Sequence, residues 1–173
     1  MRLAAAIAVL VLTACSNAGS TTATSHATPS PVPIKTPVPG SVIIGTGCGS
    51  TAIYEGGDLP DWATVNAPEI QYVVAAPAIA IGYLFSYPLK AGLDANTKIL
   101  WYVGTPRGGY PLEALGHPVG ATTPSATFSK AADSFPGEIY PTGPTVPLPG
   151  CWHFTLTWQN GARQAAVDLL FKA

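Results

Sequence analysis

His153 and Asp168 are the residues of this chain best placed by type and spacing to do chemistry. They flank the dipeptide Asn160-Gly161, and alternating apolar residues run along both sides of it. Asn-Gly between two such runs signals a β-hairpin with a two-residue loop. That loop fixes the register: Trp152 opposes Leu169, Phe154 opposes Val167, Leu156 opposes Ala165, and on the other face His153 opposes Asp168. A carboxylate that orients an imidazole is two-thirds of a hydrolytic triad. The chain has no G-x-S-x-G elbow, so a nucleophile would have to come from a distant loop, at Ser50, Ser86 or Ser129. The plainer alternative is an exposed cross-strand pair worth a few tenths of a kcal/mol.

Three other segments carry candidate groups. Glu55, Asp58 and Asp61 stand close together around Gly56-Gly57. Three carboxylates on such a loop can offer oxygen ligands to Ca²⁺, although their order does not match an EF-hand. The alternative is a solvated connection whose end is docked on the core by Trp62. Gly45-Thr46-Gly47-Cys48-Gly49 lacks the Lys-Ser/Thr of a phosphate-cradling loop and has no helical pattern after it, so it reads as a strand entry. Pro106-Arg107-Gly108-Gly109-Tyr110 puts a cation beside an aromatic at a turn. Arg107, Tyr110 and Trp62 are the candidate binding residues, because Arg and large aromatics are favoured in interfaces. No cofactor is expected.

The amino end speaks to location. Arg2 precedes an uncharged apolar run, Leu3 to Ala14, of twelve residues, too short to span a bilayer and of signal-peptide length. The run ends in Leu12-Thr13-Ala14-Cys15. This tetrapeptide resembles the lipobox of bacterial lipoproteins. The resemblance implies removal of residues 1–14, acylation of Cys15, and anchoring of the mature chain on the extracytoplasmic face of the cell membrane. Two or more acyl chains hold a protein stably where one does not. In 16–40, fourteen of 25 residues are Ser, Thr or Pro, and Lys35 is the only charge. Such a stretch has too little apolar surface to repay its ordering entropy. It reads, together with Cys15, as a linker over 15–40, and a flexible coil of that length averages about 25–30 Å end to end.

Residues 41–173 leave enough chain for one domain with one core, and all sixteen aromatic residues lie there. Charged residues are only 10% of the chain, and no Lys/Arg cluster exists, which argues against nucleic acid and against a polybasic membrane patch. With Cys15 taken by lipid, Cys48 and Cys151 form an even pair in an oxidising compartment, which predicts a disulfide. The chain-entropy account gives about 4–5 kcal/mol for a loop of that size, before strain. Two free thiols or a metal pair are the alternatives, the metal being disfavoured because neither cysteine has a second ligand at zinc-like spacing.

Thirteen prolines within 41–173 leave little room for helices. Ile70–Ala76 and Ile79–Tyr87 read as strands, the second apolar on both faces and therefore central. Lys98–Gly104 reads as a strand, Tyr110–Leu115 as an edge strand because of Pro111, Thr127–Lys130 as a short strand, and Pro141–Gly150 as a covering loop. Six to eight short strands, a terminal hairpin and one bridge make an all-β, immunoglobulin-like sandwich the expected fold. The ending Pro149-Gly150-Cys151-Trp152-His153-Phe154-Thr155-Leu156-Thr157-Trp158 resembles the last strand pair of small Ig-like domains of bacterial envelope proteins.

Together these features predict a non-enzymatic, lipid-anchored extracytoplasmic protein with a binding or structural role, its partner an envelope protein or wall polymer. A solute-binding or accessory lipoprotein of a transporter and a hydrolase using His153 and Asp168 are the alternatives. Cys15→Ser is expected to shift the protein from the membrane fraction to the soluble extracytoplasmic fraction and to abolish incorporation of labelled palmitate. Unchanged membrane retention would refute the anchor.

Overall fold

In a computed structural model, residues 38–64, 69–77, 80–92, 97–104, 109–133 and 139–173 are described. The lipobox, most of the linker, Ile79 and Arg107 lie outside them. Among the described residues eleven strands form two sheets: β1 Ser41–Thr46, β2 Ala52–Gly56, β3 Tyr72–Ala75, β4 Ala80–Leu84, β5 Leu89–Lys90, β6 Ile99–Val103, β7 Leu112–Pro118, β8 Ala126–Lys130, β9 Ile139–Thr142, β10 Gly150–Trp158 and β11 Arg163–Lys172. A 3₁₀ turn, Asp61–Ala63, follows β2. The first sheet runs β1-β2-β3-β4-β6-β9 and the second β5-β11-β10-β7-β8.

The core lies between the sheets and follows from alternation. Ile99, Trp101 and Val103 point inward from β6, and Trp152, Phe154, Leu156 and Trp158 from β10, all buried. Opposite them Ala165, Val167, Leu169 and Phe171 point inward from β11. β10 and β11 pair antiparallel through Trp152↔Leu169, His153↔Asp168, Phe154↔Val167 and Leu156↔Ala165. Their connection has positive φ at Gln159 (53°), Asn160 (53°) and Gly161 (84°), and Ala162 N–H donates to Gln159 O at 3.1 Å. Trp158 is buried while Arg163, across from it, is exposed.

Two glycines make the fit of the bulky rings possible. A Cβ at Gly82 would enter the Trp101 indole, and one at Gly116 would enter the Phe154 ring. Each aromatic therefore lies directly on the backbone of a neighbouring strand, Gly82 opposing Trp101 and Gly116 opposing Phe154 in register. The indole N–H groups of Trp101 and Trp158 are buried without a hydrogen-bond partner, as is the Tyr87 hydroxyl. Shape and apolar area, not polar contacts, seat these three side chains.

A second, smaller cluster covers the outer face of the first sheet. Tyr54, Tyr72, Tyr83 and Tyr102 form a row across β2, β3, β4 and β6, with ring centroids 5.5, 5.9 and 5.7 Å apart. Burial pushes the Tyr72, Tyr83 and Tyr102 hydroxyls above the ordinary tyrosine value. They remain donors: Tyr83 gives its hydrogen to Ala63 O at 2.5 Å and Tyr72 to Gly56 O at 2.8 Å. These bonds fasten the 3₁₀ turn and the end of β2 over the row.

The strand pattern differs from expectation in four places. β1 and β2 arise from the stretch read as a strand entry and an acidic loop, so Cys48 sits between two strands instead of before the first one. The two-residue β5, not expected at all, pairs parallel with β11 through Phe171↔Leu89. β7 is interior, hydrogen-bonded to β10 on one side and β8 on the other, because Pro111 ends up just outside it. Pro141 belongs to β9, where it opposes Leu100; β9 is the last strand of its sheet, a position that tolerates a missing N–H.

Gly82→Ala is expected to cost roughly 1–3 kcal/mol by overpacking. Gly45→Ala, with open space around its added Cβ, is expected to cost less than about 0.5 kcal/mol. Thermal melts of the two variants check this; equal midpoints would refute the close-packed role of Gly82.

Candidate functional site

Three polar residues stand in one row on the outer face of the second sheet. β7, β10 and β11 are neighbours, and the register brings His117 opposite His153 and His153 opposite Asp168. The buried alternation of β10 puts its odd-numbered residues outward, which is why an imidazole, not an apolar group, occupies this face. The turn between β1 and β2 then folds over the end of the row. There Ser50 N–H donates to Asp168 Oδ2 at 2.7 Å and Ser50 Oγ donates to the same oxygen at 3.0 Å. His153 Nδ1 bonds the other oxygen, Oδ1, at 2.7 Å. Asp168 N–H in turn donates to Thr51 Oγ1 at 2.8 Å.

Asp168 is buried, at 5% exposure, and its bonds with His153 and Ser50 favour the ionised form. Burial itself works to raise its pKa. The hydrogen bonds from His153 and from the Ser50 amide and hydroxyl outweigh that and hold it below the ordinary carboxylate value. Gly49, at φ +58°, lies against this carboxylate, and a Cβ there would run into it. Two independent requirements, a left-handed backbone and the close approach, therefore fix glycine at this position. Beside it the Cys48–Cys151 disulfide joins the β1–β2 turn to β10, with Cα atoms 5.5 Å apart. The turn is thus held to the second sheet by one covalent bond and three hydrogen bonds within four residues, 48–51.

The His153–Asp168 pair is accordingly not the exposed cross-strand pair of the plainer alternative. The structure also brings Ser50 to it, but in the order serine–aspartate–histidine. Acyl transfer by a triad needs the hydroxyl on the imidazole, so that the ring can take its proton. Here the hydroxyl hydrogen goes to the carboxylate, and the aspartate serves as a hub between turn and sheet. Ser129 opposes Glu113 on β7–β8, four residues along β7 from His117. Ser86 lines an open depression of about 310 Å³ together with Glu69, Ile70, Gln71, Phe85 and Tyr87. There Lys98 Nζ lies 4.8 Å over the exposed Phe85 ring.

The remaining candidates are dispersed. Trp62 packs, partly buried, on the tyrosine cluster. Tyr110 is exposed, and its carbonyl accepts a bond from the Tyr140 hydroxyl at 3.0 Å. Glu55 is in β2, Asp58 in the connection after it, where its N–H donates to Pro39 O, and Asp61 in the 3₁₀ turn. Among the described residues no group of three or more His, Cys, Asp or Glu is arranged to hold a metal ion. His117 and Thr51 are members of the site that residue pairing in the sequence does not single out. Extending the Leu112/Ala114 alternation of β7 by one more step is the signal that would have put His117 on the outer face.

Asp168→Asn is expected to destabilise the protein by about 1–3 kcal/mol at neutral pH, since it leaves buried donors without an ionised acceptor. The sign of the pH effect follows from the lowered pKa. The carboxylate's contribution is complete above about pH 4 and is lost as the pH falls through the lower folded value. Acid unfolding followed from about pH 6 to 2 should therefore be steeper for the wild type than for the variant, and parallel curves would refute the hub. Neither a protein-family model, nor a curated protein, nor a solved structure matches this chain.

Proposed function

We propose that this chain is an exported lipoprotein: acylated Cys15 at the membrane, a Ser/Thr/Pro linker, and an Ig-like head that binds a partner at the cell envelope without catalysing a reaction. The lipobox-like Leu12-Thr13-Ala14-Cys15 supports the anchor, and the linker composition supports a head held away from the bilayer. Strand order supports the Ig-like assignment. From β4 onward the chain runs β4-β6-β9 in one sheet and β5-β11-β10-β7-β8 in the other. This is a Greek-key arrangement in which β5 leaves the sheet of β4 to pair with the last strand. The strands β1–β3 are an addition on the β4 side.

The observation that carries the binding role is β1. It is the terminal strand of its sheet, and Val42, Ile43 and Ile44 are 62, 53 and 43% exposed on it. Soluble proteins usually blunt such an edge with charge, proline or cover. An apolar edge strand next to a tether suits a partner that adds a strand of its own, with main-chain bonds giving affinity and alternate side chains giving selectivity. The contact order serine–aspartate–histidine speaks against the hydrolase alternative, and no geometric feature favours the transporter one.

A photo-crosslinking residue at position 43, in cells producing the full chain, is expected to yield a specific adduct. The same residue at the equally exposed Leu148 should not. Ile43→Lys, tested against a probe at position 42, is expected to reduce the adduct at least tenfold while shifting the melting temperature by less than about 2 °C. Absence of any adduct at position 43, or adducts equal at 43 and 148, would overturn the assignment.

A further inference from the structure

His117 and His153 face each other across β7 and β10 with their ring centroids 5.6 Å apart and their planes inclined by 37°. Each ring has its Nδ1 held by an acceptor. His153 Nδ1 is 2.7 Å from Asp168 Oδ1, and His117 Nδ1 is 3.2 Å from Pro118 O. A carboxylate oxygen and a peptide carbonyl can only accept, so the proton of each neutral ring must sit on Nδ1. Both rings then carry their lone pair on Nε2. This is the arrangement by which metal-binding imidazoles are fixed in tautomer and orientation by a carboxylate or a backbone carbonyl behind them. Two imidazoles sharing one ion at about 2.0–2.1 Å in a tetrahedral angle place their centroids about 5 Å apart, close to the separation found here. Part of the His153 side chain (24%) is open to solvent.

We infer that the His117–His153 pair on the outer face of the second sheet is a binding site for a late divalent transition metal, ligated through both Nε2 atoms. The chemistry of the donors sets the preference. Imidazole suits Cu²⁺, Ni²⁺ and Zn²⁺ and is a poor match for Ca²⁺ or Mg²⁺, and among the former Cu²⁺ binds most tightly. The sulfurs of Cys48 and Cys151 are joined to each other and supply no thiolate. Two protein ligands leave the other coordination positions to water or to a group offered from outside. The Asp168 hub gains a second task here, because the oxygen that holds His153 also aims its Nε2. The site is independent of the anchor and of the β1 edge, and its test needs neither.

The experiment is a titration of the untagged, full-length chain in mild detergent with copper(II) sulfate against glycine as competitor, followed by calorimetry and electron paramagnetic resonance. One equivalent should bind, with nitrogen hyperfine structure from two imidazoles. His117→Ala and His153→Ala should each weaken binding at least tenfold, and Zn²⁺ should compete more weakly than Cu²⁺. His26→Ala and Cys15→Ser, which remove other potential ligands of the chain, should leave the affinity unchanged. His117→Gln keeps a polar group of similar size at a half-buried strand position, and circular dichroism with thermal melting establishes that it folds. A folded His117→Gln chain that binds Cu²⁺ as the wild type does would overturn the inference. So would a signal that disappears with His26→Ala or Cys15→Ser, or a spectrum with a single coordinated nitrogen.

Discussion

A carboxylate at 5% exposure has to be surrounded by donors, and the contact of the β1–β2 turn with the outer face of the second sheet is organised by that need at Asp168. The residue takes one bond from the sheet, through His153, and two from the β1–β2 turn, through Ser50. Its own amide reaches back to Thr51. A turn with few apolar groups would otherwise have little reason to lie on that sheet. The disulfide restricts where the turn can be, and the carboxylate specifies its conformation, down to the left-handed Gly49. Stability and site geometry are therefore not separable here: one carboxylate orients the imidazole through Oδ1 and closes the fold through Oδ2.

The two sheets solve the problem of their edges differently. β11 is paired on its outer side toward both ends. Near its end it pairs with β5, and near its start Ala166 exchanges two bonds with Ala76, at 2.7 and 2.6 Å, which carries the end of β3 across to the second sheet. The sandwich is thus sewn shut on one side. β1, at the far end of the first sheet, shows three apolar side chains instead, with a bulge between Ile43 and Gly45. The unpaired apolar rim of the first sheet is therefore at β1, while β11 in the second sheet is covered at both ends.

The sequence made the final strand pair, the central position of β4 and the inward faces of β6 and β10 legible, because in each the apolar period is unbroken and the burial is decisive. It made His153 and Asp168 neighbours for the same reason. Where the reading failed, side-chain type was overruled by position. Pro111 suggests an edge, yet the proline falls one residue before the strand, so β7 is free to be interior. The stretch 41–56 carries so many glycines that its strands have no periodic signature, and they form because β2 pairs with β3 and the bridge pins the turn. Alternation along β7 places His117 on the outer face but does not name its partner, and Ser50 joins the site through long-range pairing that no local pattern encodes: it is 118 residues from Asp168 in the chain.

The covalent link between the β1–β2 turn and β10 also governs how the protein would bear tension. A pull on Val38 from the amino side can strip away the ten residues up to Gly47, a slack of roughly 35 Å, before the load reaches the sulfur bridge. From there the force passes to Cys151, on a strand flanked by β11 and β7, and the intervening loop is not unspooled. The chain between the two cysteines is therefore shielded from a load that enters on the amino side of Cys48.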